Sequence, residues 1–176
     1  MTGATIPVVS VVGMSDAGKT TFLEKLIHEL TSRGFRVATA KHHAHDGDVD
    51  TEGKDSWRHA RAGAMTTMVS SPRQFALIRK VEPEMSLVEM SLVAASSGCD
   101  ILLTEGFKRE GVNRIEISRL ARSADLICEP SDMLALVTDN DELLCPGVPR
   151  FGLDDAGGVA DLIETRFLSK PMAGDG

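Results

Sequence analysis

The sequence predicts an α/β protein: a mostly parallel sheet in a three-layer α/β/α sandwich, with one β-hairpin inserted. Three observations lead there. Pro7–Val12 is a short apolar run, the pattern of a strand buried on both faces. A turn, an amphipathic helical pattern and a second strand pattern follow it by residue 40, and so compact a strand–helix–strand unit favours parallel pairing with a right-handed crossover. Asp100–Thr104, Arg114–Ser118 and Met133–Thr138 then repeat the strand pattern, while Met65–Ser70 and Phe75–Val81 flank Ser71-Pro72-Arg73-Gln74 as the arms of a hairpin do.

Each element has its own justification. Phe22, Leu23, Leu26, Ile27 and Leu30 recur on one helical face, so a helix runs over 20–33 and Gly34 ends it. Phe35–Ala40 is the second strand, and the largely polar residues 41–53 form an exposed loop. A short helix spans 54–63 with Asp55 or Ser56 as its cap. Pro83 suits a first helical turn; Met85, Val88, Leu92 and Ala95 line one face of that helix, and Gly98 closes it. A shorter strand is expected within Val148–Leu153, and Asp154-Asp155 caps a last helix over 156–168. The domain is expected to run over 1–170, with 171–176 a small, flexible tail.

Composition narrows the function classes. A chain of 176 residues holds one domain with a sizeable core. The net charge of −7 argues against a nucleic-acid surface spread over the whole molecule, and with six Phe, one Trp and no Tyr there is little to stack single strands on. No apolar stretch approaches a membrane span and no secretory signal is visible. Cys99, Cys128 and Cys145 are isolated and odd in number, which fits a reduced, cytoplasmic protein.

The chemistry begins at Gly13-Met14-Ser15-Asp16-Ala17-Gly18-Lys19-Thr20, the G-x-x-x-x-G-K-[ST] phosphate-binding loop between a strand and a helix. Gly13 and Gly18 permit the tight turn that points successive N–H groups into one concavity. Lys19 reaches the β- and γ-phosphates, the Thr20 hydroxyl ligates Mg²⁺, and the helix N-terminus adds its positive end. This places the chain among the P-loop NTPases. Glu105, at the end of an apolar strand, is the candidate second acidic group, holding Mg²⁺ or orienting water; Asp100 begins the same strand at the far edge and is discounted.

Other polar groups carry open alternatives. His42, His43 and His45 sit beside Lys41 in a loop that contacts nucleotide or a second ligand, binds a transition metal, or is simply exposed. Asp46, Asp48 and Asp50 alternate there; Asp50 is the candidate to join Thr20 and Glu105 at Mg²⁺, against the reading of a solvated acidic loop. Lys54, Arg58 and Arg61 share a helical face that is either solvated or meets a phosphate of a second ligand. The guanine-reading N-K-x-D motif is absent, but Asp139 in Thr138-Asp139-Asn140 follows a strand on the right side of the sheet to accept from guanine N1 and N2.

Taken together, four stretches resemble the molybdopterin-guanine dinucleotide biosynthesis protein B (MobB) family. They are Gly13–Thr21, the Lys41-His42 start of the His- and Asp-rich loop, Gly53-Lys54-Asp55-Ser56-Trp57-Arg58 running to Ala62-Gly63-Ala64, and Leu103-Thr104-Glu105-Gly106-Phe107-Lys108. One departure is Ala44, which interrupts the histidines. The resemblance covers roughly residues 5–140. It implies a homodimeric P-loop protein that binds GTP, hydrolyses it weakly with Mg²⁺, and assists the guanylyltransferase that attaches GMP to molybdopterin. By position, Gly13, Ser15, Asp16, Ala17, Gly18, Lys19, Thr20 and Thr21 bind phosphates, with Lys19 and Glu105 serving hydrolysis. Thr20 and Glu105 serve Mg²⁺, and Lys41, His42 and the rest of the 41–55 loop face the nucleotide or molybdopterin as second ligand. Three other readings compete: a small-molecule kinase using ATP with Lys108 and Arg109 as a lid, a metal-delivery GTPase using the histidines, and a non-catalytic module whose nucleotide sets a partner-binding conformation.

Overall fold

Val9, Val11 and Val12 are completely buried, as the residues of a central strand must be when both faces of its sheet are covered. The structure is a computed structural model that describes residues 5–42, 48–122 and 125–168. In chain order its elements are β1 (Val8–Gly13), α1 (Lys19–Ser32), β2 (Val37–Lys41), α2 (Asp55–Arg61), β3 (Thr66–Ser70), β4 (Phe75–Arg79), α3 (Leu87–Ser96), β5 (Ile101–Glu105), β6 (Arg114–Ser118), β7 (Met133–Thr138), β8 (Arg150–Phe151) and α4 (Ala156–Ile163). They fall into two units, one of Met1–His42 with Leu87–Gly176, the other His43–Ser86.

The larger unit holds a six-stranded sheet in the order β2-β5-β1-β6-β7-β8, with every neighbouring pair parallel. The expected α/β class and parallel sheet are therefore present. Side chains of α1 (Phe22, Leu26, Leu30) and α4 (Val159, Ala160, Ile163) pack with Val9, Val11, Leu103, Ile115 and Ile117 into one core on one face of the sheet. Val12, Leu102 and Leu136 alternate with those residues and face the other way, and α3 packs against β5. Asp155 caps α4 by accepting the Gly158 N–H at 2.9 Å, and beyond Ile163 the helix continues as a π-helical turn over Glu164–Leu168.

Parallel register brings the chemistry to one edge. Val11 and Lys41 both stand opposite Glu105, Gly13 opposite Ile117, and Ser118 opposite Thr138. The connection from β5 to β6 is short. It crosses the flank of β1, where the Ser10 N–H donates to Val112 O at 3.2 Å. A Cβ on Gly111 would lie 2.7 Å from Phe107 O and 2.9 Å from Ser10 Cβ, so this crossing admits no side chain at 111.

The smaller unit contains α2 and the antiparallel hairpin β3–β4, paired from Thr66↔Arg79 to Ser70↔Phe75. The Trp57 indole N–H donates to Asp48 at 2.9 Å, and the Arg61 guanidinium lies 5.0 Å from the Trp57 ring centre.

Three local expectations are corrected. The N-cap of α2 is Lys54, which makes no side-chain cap, and Asp55 is already helical, favourably placed for the helix dipole instead. Pro83 precedes α3, which starts only at Leu87, and joins Glu82 through a cis peptide bond. The buried face of α3 is Leu87, Ser91 and Ala94, while Val88 is 61% exposed, so the face is turned by one residue from the expected one.

Candidate phosphate and nucleotide site

The phosphate loop leaves β1 through Gly13, at φ 148°, where any Cβ would collide with Ile117 O. The turn continues through Asp16 (φ 57°) and Gly18 (φ 92°), the left-handed backbone that glycine adopts freely. Gly18 is also the N-cap of α1, and no side chain caps that helix. The first-turn N–H groups thus face outward at the positive end of the dipole, the arrangement that binds phosphate oxygens.

Lys19 lies back along this loop. Its ammonium donates to Gly13 O at 3.2 Å and Met14 O at 2.7 Å. Burial pulls its pKa below the ordinary lysine value; Glu105 opposes that, Lys108 adds to it, Asp16 opposes it and Lys41 adds to it. A cation held in that state gains from an added polyanion.

Thr20 and Glu105 meet where β1 and β5 end. The Thr20 hydroxyl stands 3.0 Å from both carboxylate oxygens of Glu105, and the Lys41 ammonium lies 3.3 Å from Oε1. Glu105 is buried, and its backbone is fixed by the His42 N–H donating to Glu105 O at 3.0 Å. Gly106 follows at φ 96° with His42 Cβ 3.3 Å from where its own Cβ would be, so the turn after Glu105 passes tightly under His42. The His42 ring packs on Phe107, centres 5.1 Å apart. One hydroxyl and one carboxylate are hard oxygen donors. They suit Mg²⁺, which takes few protein ligands and completes its shell with phosphate and water.

Of the residues expected at the site, the larger unit gathers Gly13, Ser15, Asp16, Ala17, Gly18, Lys19, Thr20 and Thr21 on the loop and first turn, and Lys41, His42 and Glu105 at adjoining strand ends. Asp100 is engaged at the opposite end of β5 by Arg36, 2.7 Å away, in keeping with its exclusion. Asp139 follows β7 directly, and its Oδ1 accepts the Leu120 N–H at 2.7 Å. Asp50 belongs to the smaller unit, where Oδ1 accepts the Thr51 N–H at 2.8 Å. His43, His45 and Asp46 lie outside the described residues, and among the described residues no three His, Cys, Asp or Glu side chains are grouped to hold a metal.

One residue escaped the sequence reading. Glu116 is buried in the middle of β6, and its oxygens accept the Ile127 N–H at 2.7 Å and the Cys128 N–H at 2.9 Å. The signal for Glu116 was present: a lone carboxylate between Ile115 and Ile117 in an apolar strand must find donors inside.

Known proteins resemble this chain in sequence and in fold. Residues 8–139 match the family described as "Molybdopterin guanine dinucleotide synthesis protein B". The chain is 36% identical over 169 residues to a molybdopterin-guanine dinucleotide biosynthesis adapter protein of Escherichia coli, covering 93% of this chain and 95% of that one. It is also 36% identical over 134 residues to the protein of that name from Haemophilus influenzae, covering 76% and 75%. Among solved structures, Bacillus subtilis MobB superposes with a TM-score of 0.74 at 29% identity, covering 94% of this chain and all of that one.

Proposed function

The chain belongs to the molybdopterin guanine dinucleotide synthesis protein B family, and from that premise we propose that it is a GTP-binding adapter of molybdopterin guanine dinucleotide biosynthesis. The observation that carries the nucleotide part is the Thr20–Glu105 pair, 3.0 Å apart, beside an α1 N-terminus that no side chain caps. Main-chain N–H groups of the phosphate loop cradle the phosphates, and Lys19 turns from the Gly13 and Met14 carbonyls to the β- and γ-oxygens. Thr20 and Glu105 would hold Mg²⁺, which when bound neutralises charge on those oxygens. Lys41, beside Glu105, keeps the carboxylate paired while the site is being filled. Hydrolysis on this reading is weak, and Lys19 and Glu105 are the residues that serve it. Molybdopterin is a candidate second ligand of Lys41 and His42.

The relatives' name, adapter protein, supports a partner in the pathway, for which we propose the molybdopterin guanylyltransferase. We also propose a homodimer in the cytoplasm. The hairpin supports the dimer with Met68, Phe75 and Leu77 exposed along its strands, and no helix among the described residues is long and apolar enough to cross a membrane.

The test is Lys19→Ala. Lys19 faces ligand rather than core, so the melting temperature is expected to hold while affinity for Mg-GTP falls at least about tenfold. Equal affinity in the folded variant would overturn the reading.

A further inference from the structure

The end of the sheet opposite the phosphate loop carries a cavity of about 400 Å³, where β6 and β7 begin. Arg114 opens β6 and Ser118 closes it, so about 13 Å of strand separates this cavity from the edge that gathers Glu105 and the loop. Ligands of a parallel sheet bind by default at its carboxyl edge. A cavity at the other edge is therefore separate from the nucleotide site.

We propose that this cavity is a second ligand site, taking a small molecule by its phosphate monoester group, which Arg114, Ser131 and Arg166 hold. It does not depend on whether the phosphate loop takes a nucleotide.

Arg114 is fixed in the cavity wall, with only 13% of its side chain exposed. Nη1 donates to Asp132 at 2.7 Å and Nη2 to Arg109 O at 3.1 Å, but the Nε–H is buried with no acceptor. A buried donor left open is costly, and it marks where an acceptor belongs. Arg166 lines the same cavity from the π-helical turn that follows α4, a distortion that recurs at functional sites. Nearby Arg33 is shared among Glu29, Asp161 and Glu164, whereas among the described residues no carboxylate pairs with Arg166. The backbone is irregular here too. Asn113 stands at φ 47° with its amide donating to Val8 O at 2.8 Å, and the β6–β7 register slips after Arg114, leaving Leu134 as an extra residue.

Two guanidiniums against the carboxylate of Asp132 leave the lining with one net positive charge, in a chain whose net charge is −7. The ligand group is therefore an anion, and guanidinium is the cation that forks onto oxyanions. The donors come from three segments: β6, the turn before β7 and the end of the last helix. A tetrahedral phosphate can meet all three, whereas a carboxylate offers two oxygens in one plane. Asp132, 53% exposed, can swing to water as the phosphate takes over the Arg114 guanidinium and opens its Nε–H. The volume lies within the range of small-molecule sites, about 300–1,000 Å³, and exceeds a bare phosphate. Val112 and Met133 give the rest of the molecule an apolar wall.

The experiment is an NMR titration of the full ¹⁵N-labelled chain with phenyl phosphate, inorganic phosphate and succinate. It reads the amides of Arg114, Met133 and Arg166 separately from those of the phosphate loop. Phenyl phosphate should shift the three cavity amides saturably, and more tightly than inorganic phosphate or succinate does. Shifts confined to Gly13–Thr20 would overturn the site. Inorganic phosphate binding there as tightly as phenyl phosphate would reduce it to a free-phosphate site, and equal affinity for succinate would overturn the phosphate assignment. Arg166→Ala, at an exposed position, should weaken phenyl phosphate at the cavity about tenfold and leave the phosphate-loop shifts unchanged. Arg114→Lys keeps the charge but loses the Nε–H, and a loss of about tenfold is expected there too. Wild-type affinity in either folded variant would overturn the proposal.

Discussion

At the scale of single residues, the site's chemistry is local where it was legible and long-range where it was not. Gly13 to Thr20 could be read because all its parts are contiguous, and Glu105 because a carboxylate closing Ile-Leu-Leu-Thr needs a reason. The contact of Thr20 with Glu105 spans 85 positions, and the hold of Asp139 on Leu120 runs between two loops, so neither distance follows from spacing. Glu105→Gln keeps the shape and removes the charge that the Thr20 hydroxyl and the Lys41 ammonium face. The dependence of GTP binding and hydrolysis on Mg²⁺ is expected to weaken about tenfold, read from titrations with and without the metal; an unchanged Mg²⁺ dependence would make Glu105 a structural residue. Cys128 supplies a pH-dependent prediction. Burial, then the charge of Glu116, pushes its thiol up to about 12, from an ordinary 9.0. The folded thiol therefore keeps its proton where the unfolded one loses it. Its contribution to stability is full below pH 9 and is lost as the pH rises towards 12. In a variant with Cys99→Ser and Cys145→Ser, thiol labelling at pH 8 should be at least ~100-fold slower for folded than for unfolded protein. Comparable rates would show an accessible thiolate.

At the scale of elements, the strands were the most legible because β1, β4, β5 and β7 carry near-continuous apolar runs, and β6 and β7 have the predicted limits. The face of α3 was displaced for a physical reason. Leu87, Val88, Met90, Leu92 and Val93 are all apolar, so the periodicity does not choose between adjacent faces, and packing decides. The cap of α2 failed because Asp55 entered the helix, leaving Lys54 outside. Two element-level variants test the packing. Gly111→Ala forces a methyl against Phe107 O and Ser10 and should cost about 1–3 kcal/mol, read by denaturant unfolding. Glu116→Gln offers one acceptor where two N–H groups need partners and should cost about 2 kcal/mol. Wild-type stability in either variant would contradict the role given to that residue.

At the scale of the whole molecule, parallel register is what turns separate sequence signals into one site. Because β1, β2, β5, β6 and β7 all run the same way, Gly13, Lys41, Glu105, Ser118 and Thr138 end at a common edge, the side of a parallel sheet where ligands bind. That edge was legible as topology from the alternation of strand and helix patterns. Base recognition was not, since it depends on which loop lies beside the phosphate loop. The central claim, a GTP-binding adapter, is tested most directly by titration calorimetry of the purified wild-type protein with Mg-GTP and with Mg-ATP. Saturable binding of GTP with a clear preference over ATP is the expected result, whereas a preference for ATP, or no binding of either, would contradict the account.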